Sequence, residues 1–134
     1  MHINRKGLQF SKRDSFDSGS LTPIITEWLR NFKKHYSESE WAGVPHNILC
    51  ELFPDTKEYN DEQMQAGIDQ FLSDIDEMIW AFEVDDMPDD CYLVNPTDEN
   101  PFGGNLNMPL IYDHRDRKQA GIDLFAKRYQ NLWW

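Results

Sequence analysis

The side chains with reactive potential are four histidines (His2, His35, His46, His114), two cysteines (Cys50, Cys91) and an aspartate-rich run at Asp85, Asp86, Asp89 and Asp90. No histidine stands in H-x-x-x-H or another zinc-binding spacing. The aspartate run lacks the glycine and the twelfth-position glutamate of an EF-hand loop. Hydrolysis by paired carboxylates needs one of them in an apolar pocket, whereas this run reads as solvated. Asp113-His114-Arg115-Asp116 contains the kinase order His-Arg-Asp, without the glycine-rich loop, the strand lysine or the chain length of a kinase. His46 and Cys50 are one helical turn apart, a spacing at which an imidazole can take a thiol proton. That chemistry also needs a cleft and an orienting group, and the sequence shows neither, so the pair reads as structural. The expectation is a protein without catalysis, metal or cofactor.

Binding is better represented. Basic residues cluster in the N-terminal arm (Arg5, Lys6, Lys12, Arg13) and towards the C-terminus (Arg115, Arg117, Lys118, Lys127, Arg128). A nucleotide site wants cations for phosphates and aromatic faces for the base. Arg115, Arg117, Lys118 and Arg128, with Trp80, Tyr112 and Trp134, are the candidate set for a small anionic, nucleotide-type ligand. The alternative uses the opposite charge. Asp69, Asp76, Glu83, Asp85, Asp86, Asp89 and Asp90 could imitate nucleic-acid phosphates and occupy a basic groove on a partner protein, with fast, salt-sensitive association.

The charge is segregated along the chain. The 134 residues carry a formal charge of −11, yet Glu38 to Glu99 holds 18 acidic residues against one basic residue, Lys57. Outside that stretch stand six acidic and twelve basic residues. An acidic middle disfavours direct binding to nucleic acid or to an anionic membrane; its plainest reading is a solvated surface. Apolar content of 40 %, with 13 % aromatic, argues for a folded core, and the length suits one domain. The two isolated cysteines suggest buried thiols in a reducing compartment rather than a disulfide scaffold. There is neither a signal-peptide core nor a run of 18 apolar residues, so a soluble intracellular protein is expected.

The elements that must position these residues start with Asn60 to Glu83. Met64, Ile68, Phe71, Leu72, Ile75, Met78, Ile79 and Phe82 recur at helical spacing. Asn60 and Gln63 form a capping-box pattern, and Asp69, Asp74, Asp76, Glu77 and Glu83 read as the wet face. Trp80 lies off the stripe. Before this helix, residues 1–20 read as an extended arm and loop. A helix over 22–36 follows, with Thr22 as cap and Pro23 at its first position, and Asn47 to Phe53 could form a short helix. After the central helix, 84–112 reads as a loop with a hairpin between Cys91–Val94 and Met108–Tyr112, and a last helix covers 115–134 with Asp113 as cap. The result is a mainly α (or α+β) fold: three main amphipathic helices and a few short strands in a single domain, self-associated through aromatic surface.

Gln65-Ala-Gly-Ile-Asp-Gln-Phe71 is echoed by Gln119-Ala-Gly-Ile-Asp-Leu-Phe125. Nothing outside these seven residues repeats. The echo could mark a duplicated helical unit; the favoured reading is two helices that each need glycine at a close crossing, since glycine costs about 1 kcal/mol inside a helix.

Asp76-Glu-Met-Ile-Trp-Ala-Phe-Glu83 and the closing Gly121-Ile-Asp-Leu-Phe-Ala-Lys-Arg-Tyr-Gln-Asn-Leu-Trp133 resemble an uncharacterised family of small tailed-bacteriophage proteins. In that family a D-E-M-I-W-A-F-E helix precedes a G-x-x-L-F-x-K-Y-Y-x-x-L-W helix. Asp14-Ser-Phe-Asp17, the helix from Leu21 to Phe32 and Gly43-Val-Pro45 match its upstream segments in order. The departures are Ser15-Phe16 in place of Thr-Trp and Arg128 in place of a tyrosine. The resemblance implies a phage accessory protein acting in the host bacterial cytoplasm. Non-enzymatic sequestration of a cyclic-nucleotide immune signal is the leading expectation. An acidic inhibitor of a host defence or nucleic-acid-handling protein is the alternative, and a virion component comes third.

Overall fold

The computed structural model describes residues 2–4, 7–9, 18–40, 42–93 and 105–132. The chain is mainly helical. Its elements are β1 (His2–Asn4), β2 (Gly7–Gln9), α1 (Ser18–Glu38), α2 (His46–Leu52), α3 (Asp61–Glu83), β3 (Tyr92–Leu93), β4 (Asn105–Leu106) and α4 (Met108–Arg128). Short 3-10 turns precede β3 and follow α4. The strands form two antiparallel ladders, β1 with β2 and β3 with β4.

α3 is the centre, packing against each of the other three helices. Its start is the capping box expected from its sequence. Asn60 Oδ1 accepts the Gln63 N–H at 2.9 Å, and Gln63 Oε1 accepts the Asn60 N–H at 3.1 Å. Phe71, Ile75 and Met78 from α3 meet Leu29, Phe32 and Tyr36 from α1, Ile48 from α2 and Leu132 beyond α4. Phe32, Tyr36 and Phe71 pack their rings together, the Tyr36–Phe71 pair edge-on at 5.2 Å. The Tyr36 hydroxyl donates to the Gly43 carbonyl at 3.1 Å, which satisfies a polar group carried into the core.

Both echoed glycines sit at close crossings. A Cβ on Gly121 would meet Ala81 Cβ and lie 2.6 Å from the Glu77 carbonyl oxygen, so α4 lies against the α3 backbone. A Cβ on Gly67 would meet Val44 Cγ1 at 2.6 Å and Leu49 Cδ2 at 2.8 Å. In each copy the glutamine bonds the aspartate four residues on, Gln65 to Asp69 and Gln119 to Asp123.

Several boundaries differ from the sequence-based expectation. α1 begins at Ser18, so Thr22 and Pro23 lie inside it rather than at its start. At that position Pro23 removes one intrahelical hydrogen bond and its ring crowds the carbonyl four residues back, so α1 extends through it at a cost. The last helix starts at Met108 instead of 115, and Asn107, not Asp113, caps it by accepting the Leu110 N–H at 3.2 Å. Pro109 falls in the first turn, where no intrahelical partner is lost. Met108–Tyr112 is therefore helix rather than strand, and Asn105–Leu106 takes its place beside β3. α4 ends at Arg128 rather than running to 134, with Tyr129–Asn131 in a 3-10 turn. Asp74 is buried, not on the wet face. Of the two thiols only Cys91 is buried; Cys50 is exposed.

Candidate functional site

α4 runs antiparallel to α3 and carries two clusters of ionised side chains along their shared seam. At its C-terminal end Arg128, only 3 % exposed, donates from Nε to Asp74 Oδ2 at 2.8 Å. Its two terminal nitrogens grip Glu51 at 2.9 and 2.8 Å. Lys127 Nζ reaches Glu51 Oε2 at 2.9 Å, and Gln70 Nε2 donates to Asp74 Oδ1 at 2.7 Å. The cluster joins α2, α3 and α4, and every polar atom in it has a partner, the condition under which a buried guanidinium is tolerated. The hydrogen bond from Arg128 is the main reason the Glu51 carboxyl is held down to about 2, against its ordinary 4.5. Arg128 is itself pushed up, first by Glu51 and then by Asp74. This removes Arg128 from the ligand-binding set, because its three nitrogens are committed to Asp74 and Glu51 and its charge is compensated twice.

Three turns earlier the second cluster is open to solvent. The Arg117 guanidinium lies 3.8 Å from the Trp80 ring centroid and donates to Glu77 at 3.0 and 2.9 Å. That hydrogen bond lowers the Glu77 pKa and raises that of Arg117. His114 meets Trp80 edge-on at 5.4 Å, and its Nε2 lies 2.7 Å from the Asp85 carbonyl oxygen, so that nitrogen carries the proton. Lys118 Nζ donates to the Val84 carbonyl at 3.1 Å and to Asp86. It supplies a cation to the C-terminal end of α3 and lowers the Asp86 pKa. Trp80, displaced from the apolar stripe of α3, is thus the platform on which α4 places Arg117 and His114.

Arg115 and Lys118 line one open groove of about 460 Å³ with Asp86, Gln119 and Ile122. Tyr112 is 56 % exposed, and Met108 one turn before it and Leu106 just ahead of α4 are exposed as well. The structure thus brings Trp80, Arg115, Arg117 and Lys118 to one region, with Tyr112 on the same helix. Trp134 lies outside the described residues.

The acidic candidates divide. Asp76 pairs with Lys33, Glu83 with Arg30 and Asp86 with Lys118. Asp69 accepts a neutral amide from Gln65. Asp69, Asp85, Asp89 and Asp90 are exposed and carry no ion pair among the described residues. Asp89 and Asp90 form the 3-10 turn beside the start of α4, where the Asn107 N–H donates to the Cys91 carbonyl at 2.7 Å. Among the described residues no group of three or more His, Cys, Asp or Glu could hold a metal ion, and no helix is long and apolar enough to cross a membrane.

Sequence reasoning missed Glu51, Asp74 and Glu77 as the partners that consume the cations. Asp74 had a signal: it stands three residues after Phe71 and four before Met78, on the apolar stripe itself. A carboxylate at such a position must find a buried cation. Comparison with models of protein families, with curated protein sequences and with solved structures finds no match for this chain.

Proposed function

We propose that this chain is a non-catalytic binding protein whose partner is a protein with a basic surface, docked on the acidic, aromatic end of the molecule formed by the 84–91 turn and the start of α4. One observation carries the reading. Three of the four candidate cations are already neutralised from within, Arg128 by Asp74 and Glu51, Arg117 by Glu77 and Lys118 by Asp86, which leaves Arg115 as the one without an ion pair among the described residues. The exposed carboxylates of Asp85, Asp89 and Asp90 are not so compensated among the described residues, and the start of α4, against which the Asp89–Cys91 turn packs, brings exposed Met108 and Tyr112 with Leu106 just ahead of them. An aromatic anchor within a charged rim is the composition of a protein-binding surface, and the rim's sign selects a basic partner. The resemblance to tailed-phage proteins supplies the setting: a host defence or nucleic-acid-handling protein, blocked at the groove that would take nucleic acid.

The test is a quantitative pull-down from host lysate with the wild type, Tyr112→Ser and the triple variant Asp85→Asn, Asp89→Asn, Asp90→Asn. The reading expects a protein that both variants lose and that competing duplex DNA displaces. Equal capture by all three, indifferent to DNA, would sink it.

Sequestration of a nucleotide-type signal is the second reading, favoured by the groove that Arg115 and Lys118 share, with exposed Tyr112 three residues before Arg115 on α4. In that reading Arg115→Ala abolishes binding and the triple Asn variant leaves it intact.

A further inference from the structure

At α2, three reactive groups converge that the binding surface does not use. Cys50, exposed on α2, places Sγ 3.3 Å from Nε2 of His46 on the preceding turn of the same helix. Tyr59, from the connection into α3, brings its hydroxyl to 3.7 Å from the same sulfur. The Tyr59 ring packs edge-on against His46 at 6.1 Å and tilted against Phe53 at 6.4 Å. The orienting group that the sequence did not show is therefore Tyr59, which fixes the imidazole by ring contact and contributes an O–H. From these contacts we infer that Cys50 is a modification site, a thiol that His46 deprotonates and that takes part in exchange with low-molecular-weight disulfides.

The geometry suits each part of that step. A thiol becomes a nucleophile only as the thiolate, and an imidazole within hydrogen-bond reach is its usual base. Nε2 can accept the proton when the other ring nitrogen carries the hydrogen. The hydrogen bond with Cys50 raises the Tyr59 pKa, so its hydroxyl stays protonated and donates to the developing charge. The nearest acid along the chain, Glu51, would oppose a thiolate if free, but Lys127 and Arg128 compensate it. In the exchange His46 takes the Sγ proton and Sγ attacks one sulfur of the disulfide. One sulfur–sulfur bond breaks as another forms, and the departing thiolate takes the proton back from His46. Cys50 ends as a mixed disulfide and the other half of the reagent as a free thiol, with no further oxidant required.

The probe is 5,5′-dithiobis(2-nitrobenzoic acid), applied to the intact chain from pH 6 to 9 and read by thiolate release, with peptide mass locating the adduct. The adduct is expected on Cys50, with buried Cys91 slow. Relative to the wild type, His46→Gln should slow Cys50 by about fivefold or more near pH 7. Tyr59→Phe, which keeps the ring and removes the hydroxyl, should give a smaller slowing in the same range. His46 and Tyr59 lie at the surface around Cys50, so both variants should fold, and wild-type far-UV circular dichroism would establish it. A wild-type rate for folded His46→Gln at every pH would overturn the inference. So would an adduct that forms on Cys91 as fast as on Cys50.

Discussion

Arg117 and Arg128 stand on one face of the same helix, three turns apart, and each grips a glutamate through two hydrogen bonds. Only their surroundings differ. The Arg128 side chain is 3 % exposed and adds a buried second carboxylate, Asp74, whereas Arg117 is 52 % exposed and has Trp80 beneath it. In water an arginine–glutamate pair gains little over solvation, because the dielectric weakens it and two long side chains lose freedom. Out of water the same pair becomes obligatory, since either partner alone is a charge with no solvent. Identical chemistry therefore yields a structural joint at one end of α4 and an accessible surface at the other.

The largest expected effect lies at the joint. Arg128→Met leaves Asp74 buried without its cation and should cost about 3–5 kcal/mol in urea unfolding. Adding Asp74→Leu should recover much of it, because an apolar pair of similar volume replaces the ions. Recovery would show that the cost belongs to the stranded charge; none would mean that the cluster itself holds the helices in register.

Between the two arginines, Gly121→Ala drives a methyl towards the Glu77 carbonyl and Ala81 of α3, backbone and Cβ that cannot rotate away. About 2 kcal/mol of destabilisation is expected from that overpacking. Gly67→Ala meets only the side-chain ends of Val44 and Leu49, which can shift, so the echoed glycine should cost measurably less. Equal losses would contradict the distinction between a helix crossing and a side-chain contact.

Acid provides a third comparison. Because the folded pKa of Glu51, about 2, lies below its ordinary 4.5, ionised Glu51 stabilises the fold above that ordinary value. The contribution fades as pH falls from about 4.5 towards 2. Glu51 is partly exposed, so after solvent screening the loss should be about 1 kcal/mol, and Glu51→Gln should remove that part of the acid dependence. The smallest effect is reserved for Arg117→Met: below about 1 kcal/mol in stability, with a change in Trp80 fluorescence as the stacked cation leaves.

Much of the scaffold was legible in the chain. The stripe from Met64 to Phe82 and the Asn60–Gln63 capping box locate α3 unaided, because both signals are local and agree. The glycines of the echo pointed to close crossings for a similar reason: nothing else repays glycine inside a helix. The start of α4 is obscured because Met108–Tyr112 has strand-like composition, although Asn107 caps that helix and Pro109 sits in its first turn. Least legible was the fate of the charges. Charge count places Arg128 and Asp74 on the surface; the place of Asp74 on the apolar stripe points to burial, but only packing shows that Arg128 is its partner. The candidate ligand set therefore included one cation that is sealed in the core and two whose carboxylate partners lie on α3 and in the turn after it.

The proposal that three of the four candidate cations are already neutralised, leaving the acidic, aromatic surface for a basic partner, has one direct test. Purified wild-type protein and Arg115→Ala are melted with linear and cyclic nucleotides at low and moderate salt. A bound ligand at about 100 times its dissociation constant would add roughly 2.7 kcal/mol, a shift of several degrees. The account predicts no shift with any nucleotide. A clear shift with one of them, absent from Arg115→Ala, would contradict it and return the groove beside Lys118 to the status of a nucleotide site.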